Sequence, residues 1–156
     1  MDALEGKIDL FDVAEIKLSY SAKVKASLRP CVCSSRQVYE VFVRAWDPER
    51  IGFVEDFKVM LLSRSNRALG LVTISSGGTA GTIVDIKLVF AAAVKANASS
   101  IAVAHNHPSG YLMPSEQDKR VTKRIREAGE LLEIPLLDHL ILSADGFYSF
   151  ADEGKL

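Results

Sequence analysis

Ser100-Ile101-Ala102-Val103-Ala104 is an unbroken apolar run of strand length, and it constrains the fold more than any other segment. Continuous runs of this kind mark strands covered on both faces. The run lies between two helical patterns. Residues 84–98 are rich in Ala, with Ile86, Phe90, Ala93 and Val94 toward a core, and residues 115–132 carry a stripe of Val121, Ile125, Ala128 and Leu132. A strand covered on both sides needs helices above and below it. The remaining elements fit that demand. Residues 57–63 and 68–75 read as strands of one hairpin joined at 64–67. Residues 136–142 read as a further strand, with a turn at Ser143-Ala144-Asp145-Gly146 leading into 147–150. Ser34 followed three residues later by Gln37 is a capping-box signature, and Val38, Val41, Phe42 and Ala45 then recur at helical spacing, so 35–46 is an amphipathic helix. Asp47-Pro48 ends it. The order of elements predicts an α/β (α+β) class: a mixed β-sheet flanked by helices. Residues 1–12 read as a loosely packed start and 13–24 as an edge strand, which gives an extension over 1–33 and a main domain over 34–156.

A chain of 156 residues fits one domain. At that size folding buries roughly 68–70% of the unfolded surface, so no disulfide staple is needed. The two cysteines, Cys31 and Cys33, are read as reduced thiols: an i to i+2 bridge is strained, and two thiols are too few for a metal site. Lys and Arg (19) nearly balance Asp and Glu (20), which leaves a net charge of −1 and no global basic field for nucleic acid. Met1-Asp2-Ala3-Leu4-Glu5 has neither the basic nor the apolar part of a signal peptide. The stretch 83–98 is broken by Asp85, Lys87, Lys95 and Asn97 and is too short to span a bilayer. The expectation is a cytoplasmic protein with no membrane partner. The loop 76–82 is Gly-rich without being a phosphate loop, because no Gly-Lys-Ser/Thr follows. It is either a plain connector or a rim that contacts substrate.

Two of the chain's three histidines, His105 and His107, close the buried strand. At i and i+2 on extended backbone their side chains share a face and can share a metal. Pro108 and Gly110 end the strand at the sheet edge, where a ligand can reach. Pro114 leads into Ser115-Glu116-Gln117-Asp118, and a carboxylate in a first helical turn can point back toward the strand end. His105, His107 and Asp118 thus supply two nitrogens and one oxygen, a three-ligand set for one Zn2+ with a fourth position open. Taken alone, S-x-x-D is also an ordinary helix-capping pattern.

The conjunction H-x-H, seven residues, then S-x-x-D resembles the JAMM motif of the JAB/MPN metalloprotease superfamily, and every motif position is matched. The wider text, A-H-N-H-P-S-G, P-S-E-Q-D and Leu136-Leu137-Asp138-His139-Leu140-Ile141, resembles the bacterial RadC-like branch. The resemblance runs from about Ser34 to Leu156. It implies the JAB/MPN, cytidine-deaminase-like fold and a zinc-dependent hydrolase of peptide or isopeptide bonds. It also implies a glutamate opposite the metal, and the match is Glu55 in Val54-Glu55-Asp56-Phe57, acting as general base and then acid. Ser115 is expected to stabilise the developing oxyanion. The helical N-terminal domain usual in RadC-like proteins is not expected here, which weakens a DNA role.

Other readings stand beside this one. RadC-like proteins are traditionally labelled DNA repair proteins, and Lys119, Arg120, Lys123, Arg124 and Arg126 form a basic cluster that is either a solvated helix face or a receiver of phosphates. A metal-binding interaction module without turnover is the third reading. A nucleoside deaminase is disfavoured, because its H-x-E and P-C-x-x-C pattern is absent. The substrate expected is a peptide or protein; the oligomeric state is not readable. His139 is either a packed histidine or one that supports the metal ligands from outside.

Overall fold

The computed structural model describes residues 21, 23–78 and 82–156. The loose start over 1–12 and the edge strand expected over 13–24 lie outside the described residues, apart from Ser21, Lys23 and Val24, which carry no strand. Eight helices and strands follow a short 3-10 turn at Ala26–Leu28: α1 (Ser35–Ala45), β1 (Asp56–Leu62), β2 (Ala68–Ser76), α2 (Ile86–Lys95), β3 (Ser100–Asn106), α3 (Glu116–Leu131), β4 (Leu136–Leu142) and β5 (Phe147–Ser149). The strands form one sheet in the order β2-β1-β3-β4-β5. The pair β3 and β4 is parallel, and the other neighbours are antiparallel. The mixed sheet flanked by helices is the expected α+β class.

β3 is the central strand, and all seven of its residues are buried. Alternation sends its side chains to two cores. Ile101 and Val103 join Phe57, Val59 and Leu61 of β1 beneath α2 and α3, which contribute Val89, Phe90, Ala93 and Ile125. Ala102 and Ala104 join Met60, Leu62, Leu140 and Leu142 beneath Val38, Phe42 and Trp46 on the α1 side. Ser34 caps α1 as expected, accepting from the Gln37 amide; the Gln37 side chain, however, reaches back to the amide of Cys33 (2.7 Å) instead of that of Ser34. Cys31 and Cys33 are exposed free thiols.

The helical stripes hold at Phe90, Ala93 and Ile125, which are buried, and at Ile86, Val121 and Ala128, which pack against the same core; they differ at two positions of each kind. Val94 and Leu132 are exposed, while Thr122 and Gly129 are buried. Gly129 is in the stripe because α3 closes there. The Ile134 amide donates to the Gly129 carbonyl (2.9 Å) and the Glu133 amide to that of Glu130 (3.3 Å), with Glu133 left-handed at φ 57°. A β-carbon on Gly129 would meet the Ile134 carbonyl oxygen at 2.5 Å. Gly129→Ala gains about 1 kcal/mol of helix propensity. Overpacking against a backbone atom costs about 1–3 kcal/mol. The net expectation is a lower melting temperature, read by thermal unfolding; a rise would show that the α3–β4 connection shifts freely.

Candidate metal centre

The antiparallel register sets Phe57 opposite His105. Phe57 and His105 share the face under α3, and Glu55, just before β1, lies near His105 and His107, whose charges act on its carboxyl. The parallel β3–α3–β4 connection brings the start of α3 back over the end of β3. Between them, His107 donates its amide to the Leu142 carbonyl (2.9 Å), and Gly110, at φ 81°, closes a turn onto the His107 carbonyl (2.9 Å). Gly suits that turn because positive φ carries no Cβ penalty.

The three ligand residues predicted from sequence come together. Ligand atoms of His105, His107 and Asp118 all lie within 4.8 Å of one another, a group able to hold a metal ion. His105 Nε2 is 3.0 Å from His107 Nε2 and 3.1 Å from Asp118 Oδ1, and His107 Nε2 is 3.6 Å from Asp118 Oδ2. The capping reading of S-x-x-D also holds, and it does not compete with the metal reading. Asp118 Oδ2 accepts from the Ser115 amide and hydroxyl (both 2.7 Å) while Oδ1 faces His105. One carboxylate thus closes the capping box of α3 and faces the histidines. Ser115 Oγ also accepts from the Asp118 amide (3.1 Å). In this arrangement its single proton goes to Asp118 Oδ2, so the hydroxyl holds the carboxylate.

The electrostatics agree with the geometry. Burial pushes the Asp118 carboxyl up, but the facing His105 and His107 rings outweigh burial whenever a proton lies between them and the carboxylate, and then hold the group far below the ordinary carboxylate range. The bond to Asp118 raises His107 against the opposing effect of burial. Burial raises the Glu55 carboxyl, and the nearby His105 and His107 oppose that rise. Glu55 and Asp56 separate as strand alternation requires. Glu55 is half-buried beside the histidines. Asp56 is buried and held by Arg50 (2.9 and 3.0 Å) and by the Ser76 hydroxyl, and the Arg50 bond lowers its pKa.

Sequence reasoning missed what holds Glu55. Asn106, between the two histidines and on the opposite face of β3, is fully buried. Its Oδ1 accepts from the Asp56 amide (2.7 Å), and its Nδ2 donates to the carbonyls of Ile51 (2.8 Å) and Val54 (2.7 Å). One side chain therefore fixes the segment that carries Glu55. The signal was an amide in a strand otherwise apolar up to its histidines, where burial demands partners. The loop after β2 is more than a connector: Glu55 exchanges backbone bonds with Gly77 (2.8 Å) and Gly78 (3.3 Å), and the Thr82 backbone hydrogen-bonds the Glu55 carboxylate. Asn106→Ala strands three buried backbone groups at about 1 kcal/mol or more each, about 3 kcal/mol together. Urea unfolding should show that loss; a loss under 1 kcal/mol would mean the segment is held by other contacts.

His139 is fully buried and pairs with His105, its Nε2 lying 2.8 Å from His105 Nδ1. Burial drives its pKa well down, with the His105 charge acting in the same direction. Of the α3 cations, Lys119 pairs with Glu116 (2.6 Å), Lys123 with Glu127 (3.8 Å) and Arg126 with Glu130 (3.5 Å), as on a solvated helix face. Among the described residues no helix is long and apolar enough to cross a membrane.

Residues 32–155 match the family profile described as RadC-like JAB domain. Among curated proteins, the chain is 48% identical over 100 residues to a UPF0758 protein of Flavobacterium johnsoniae, covering 64% of this chain and 44% of that protein. It is 40% identical over 102 residues to a UPF0758 protein of Thermotoga maritima, covering 65% and 46%. It is 39% identical over 142 residues to a UPF0758 protein of Geotalea uraniireducens, covering 91% and 60%. The chain thus spans about half the length of the curated relatives it matches.

Proposed function

The chain belongs to the RadC-like JAB domain family, and from that premise we propose that it is a zinc-dependent hydrolase of peptide or isopeptide bonds. The observation that carries the reading is the convergence of three acceptor atoms. His107 Nδ1 is 2.6 Å from the Tyr111 carbonyl, which can only accept, so that nitrogen carries hydrogen and the neutral ring presents a lone pair at Nε2. The Asp118 carboxylate and His105 Nε2 face the same point. Acceptors this close repel unless a cation or proton lies among them, and two imidazoles with one carboxylate suit Zn2+.

When bound, zinc supplies Lewis-acid activation of water and of the scissile carbonyl. The chain's own residues do the rest. Ser115 holds the Asp118 carboxylate through its amide and its hydroxyl, so the carboxylate would meet a metal without reorganising. Glu55, half-buried near His105 and His107, takes a proton from the attacking water and returns it to the leaving amine. The Thr82 backbone and the tie through Asn106 hold Glu55 in place for both transfers. The exposed thiols Cys31 and Cys33 fit a reducing, cytoplasmic location. A nucleic-acid role would rest on the α3 cations, three of which are engaged by glutamates.

The test is elemental analysis of the purified chain together with mass-spectrometric scoring of a peptide and isopeptide library. About one zinc per chain and chelator-sensitive cleavage are expected. A chain that binds zinc and cleaves no amide bond would leave the family membership and overturn the hydrolase.

A further inference from the structure

We propose that His139 and Thr122 form a positioning relay that fixes the ring tautomer of His105 and aims its Nε2 at the metal. The inference rests on His105 being a metal ligand, as proposed above, and it follows from counting protons. Thr122 Oγ1 lies 2.7 Å from the Asp118 carbonyl oxygen. A carbonyl cannot donate, so the one hydroxyl proton of Thr122 is spent there. Thr122 Oγ1 also lies 2.6 Å from His139 Nδ1, and with its proton spent it can only accept. His139 Nδ1 therefore carries hydrogen. The His139 ring is packed against Phe57 and Phe150. In a neutral imidazole a hydrogen on Nδ1 leaves Nε2 bare. That nitrogen accepts from His105 Nδ1 at 2.8 Å. His105 Nδ1 is then protonated, and its Nε2 is the nitrogen that faces His107 and Asp118.

The relay runs from the α3 backbone through β4 to β3. The Asp118 residue contributes at both ends, its carbonyl anchoring Thr122 and its carboxylate facing the metal. The two ligand histidines are thus oriented differently. His107 is fixed by a carbonyl of its own loop, whereas His105 is fixed by an uncharged imidazole from another strand. Partners of this outer kind set ring orientation, and their loss typically weakens metal binding about 10- to 100-fold.

Thr122→Val keeps the side-chain shape and removes the hydroxyl; Thr122→Ser keeps the hydroxyl and removes the methyl group. If the relay operates, zinc affinity, read by competition with a chromophoric chelator, falls about 10- to 100-fold in Thr122→Val. It returns toward the original value in Thr122→Ser. A packing role predicts the reverse order, and that order would overturn the relay, as would unchanged affinity in Thr122→Val. Nitrogen-15 spectra of the unaltered, metal-free chain give a reading that needs no variant. Protonation of His139 at Nδ1 with a bare Nε2 is expected; a hydrogen on Nε2 overturns the relay. An unaltered chain that takes up no zinc overturns the metal reading as well, whereas zinc uptake insensitive to Thr122→Val overturns the relay alone.

Discussion

Glu55→Gln is expected to keep zinc at one equivalent per chain and to slow amide hydrolysis about 100- to 10,000-fold, the usual contribution of a positioned acid–base group. The substitution is nearly isosteric and removes only the capacity to carry a proton. The backbone bonds of Glu55 to Gly77 and Gly78 do not depend on the carboxylate, so the β1 start should stay in place. Zinc should stay because Glu55 is not among the three clustered ligands. Rates within tenfold of the unaltered chain, with zinc bound, would remove Glu55 from the chemistry. Its neighbour offers no alternative base, because Asp56 is buried and engaged by Arg50 and Ser76.

The double variant His105→Ala/His107→Ala should lose stoichiometric zinc and all metal-dependent hydrolysis while remaining folded. Two of three ligands vanish, and the remaining carboxylate is already bonded to Ser115. Stability should fall, because His105 is buried and its loss leaves His139 Nε2 without its partner, yet the fold should survive, because the site lies at one end of β3 and the two apolar cores on either side of that strand do not include it. This differs from small zinc domains, in which metal binding supplies the folding free energy. Elemental analysis reads the metal and circular dichroism the fold. Zinc retained at one equivalent would sink the ligand assignment, and an unfolded double variant would show that the histidines hold the core.

Much of this was legible in the chain because it is local. Element type follows from periodicity, and the extents observed differ from those expected by only a few residues, as at α2, which spans Ile86–Lys95 where 84–98 was expected. The H-x-H and S-x-x-D spacings carry the metal candidates because strand alternation and a first helical turn are local geometry. The helical stripes were harder. An apolar count finds Ile125 but also selects Leu132, which is exposed, and passes over Thr122 and Gly129, which are buried. Thr122 can be buried because its hydroxyl has two partners, and Gly129 because the backbone of Ile134 passes too close for a side chain. Neither fact exists until α3 has packed against β4.

What the sequence determined by itself was the class of fold, the strand that must be central, and the pair of histidines with a carboxylate a fixed distance downstream. Those depend on interactions within a few residues. The tertiary structure decided that Glu55, fifty residues before the first of those histidines, lies close to them, because β1, which follows Glu55, pairs with β3. It decided that Asn106 pins the segment carrying Glu55 and that Ser115 gives its proton to Asp118. It also decided that His139 stands behind His105. Hydrogen bonds between distant segments are set by how strands pair and where a helix returns, and no local pattern encodes them.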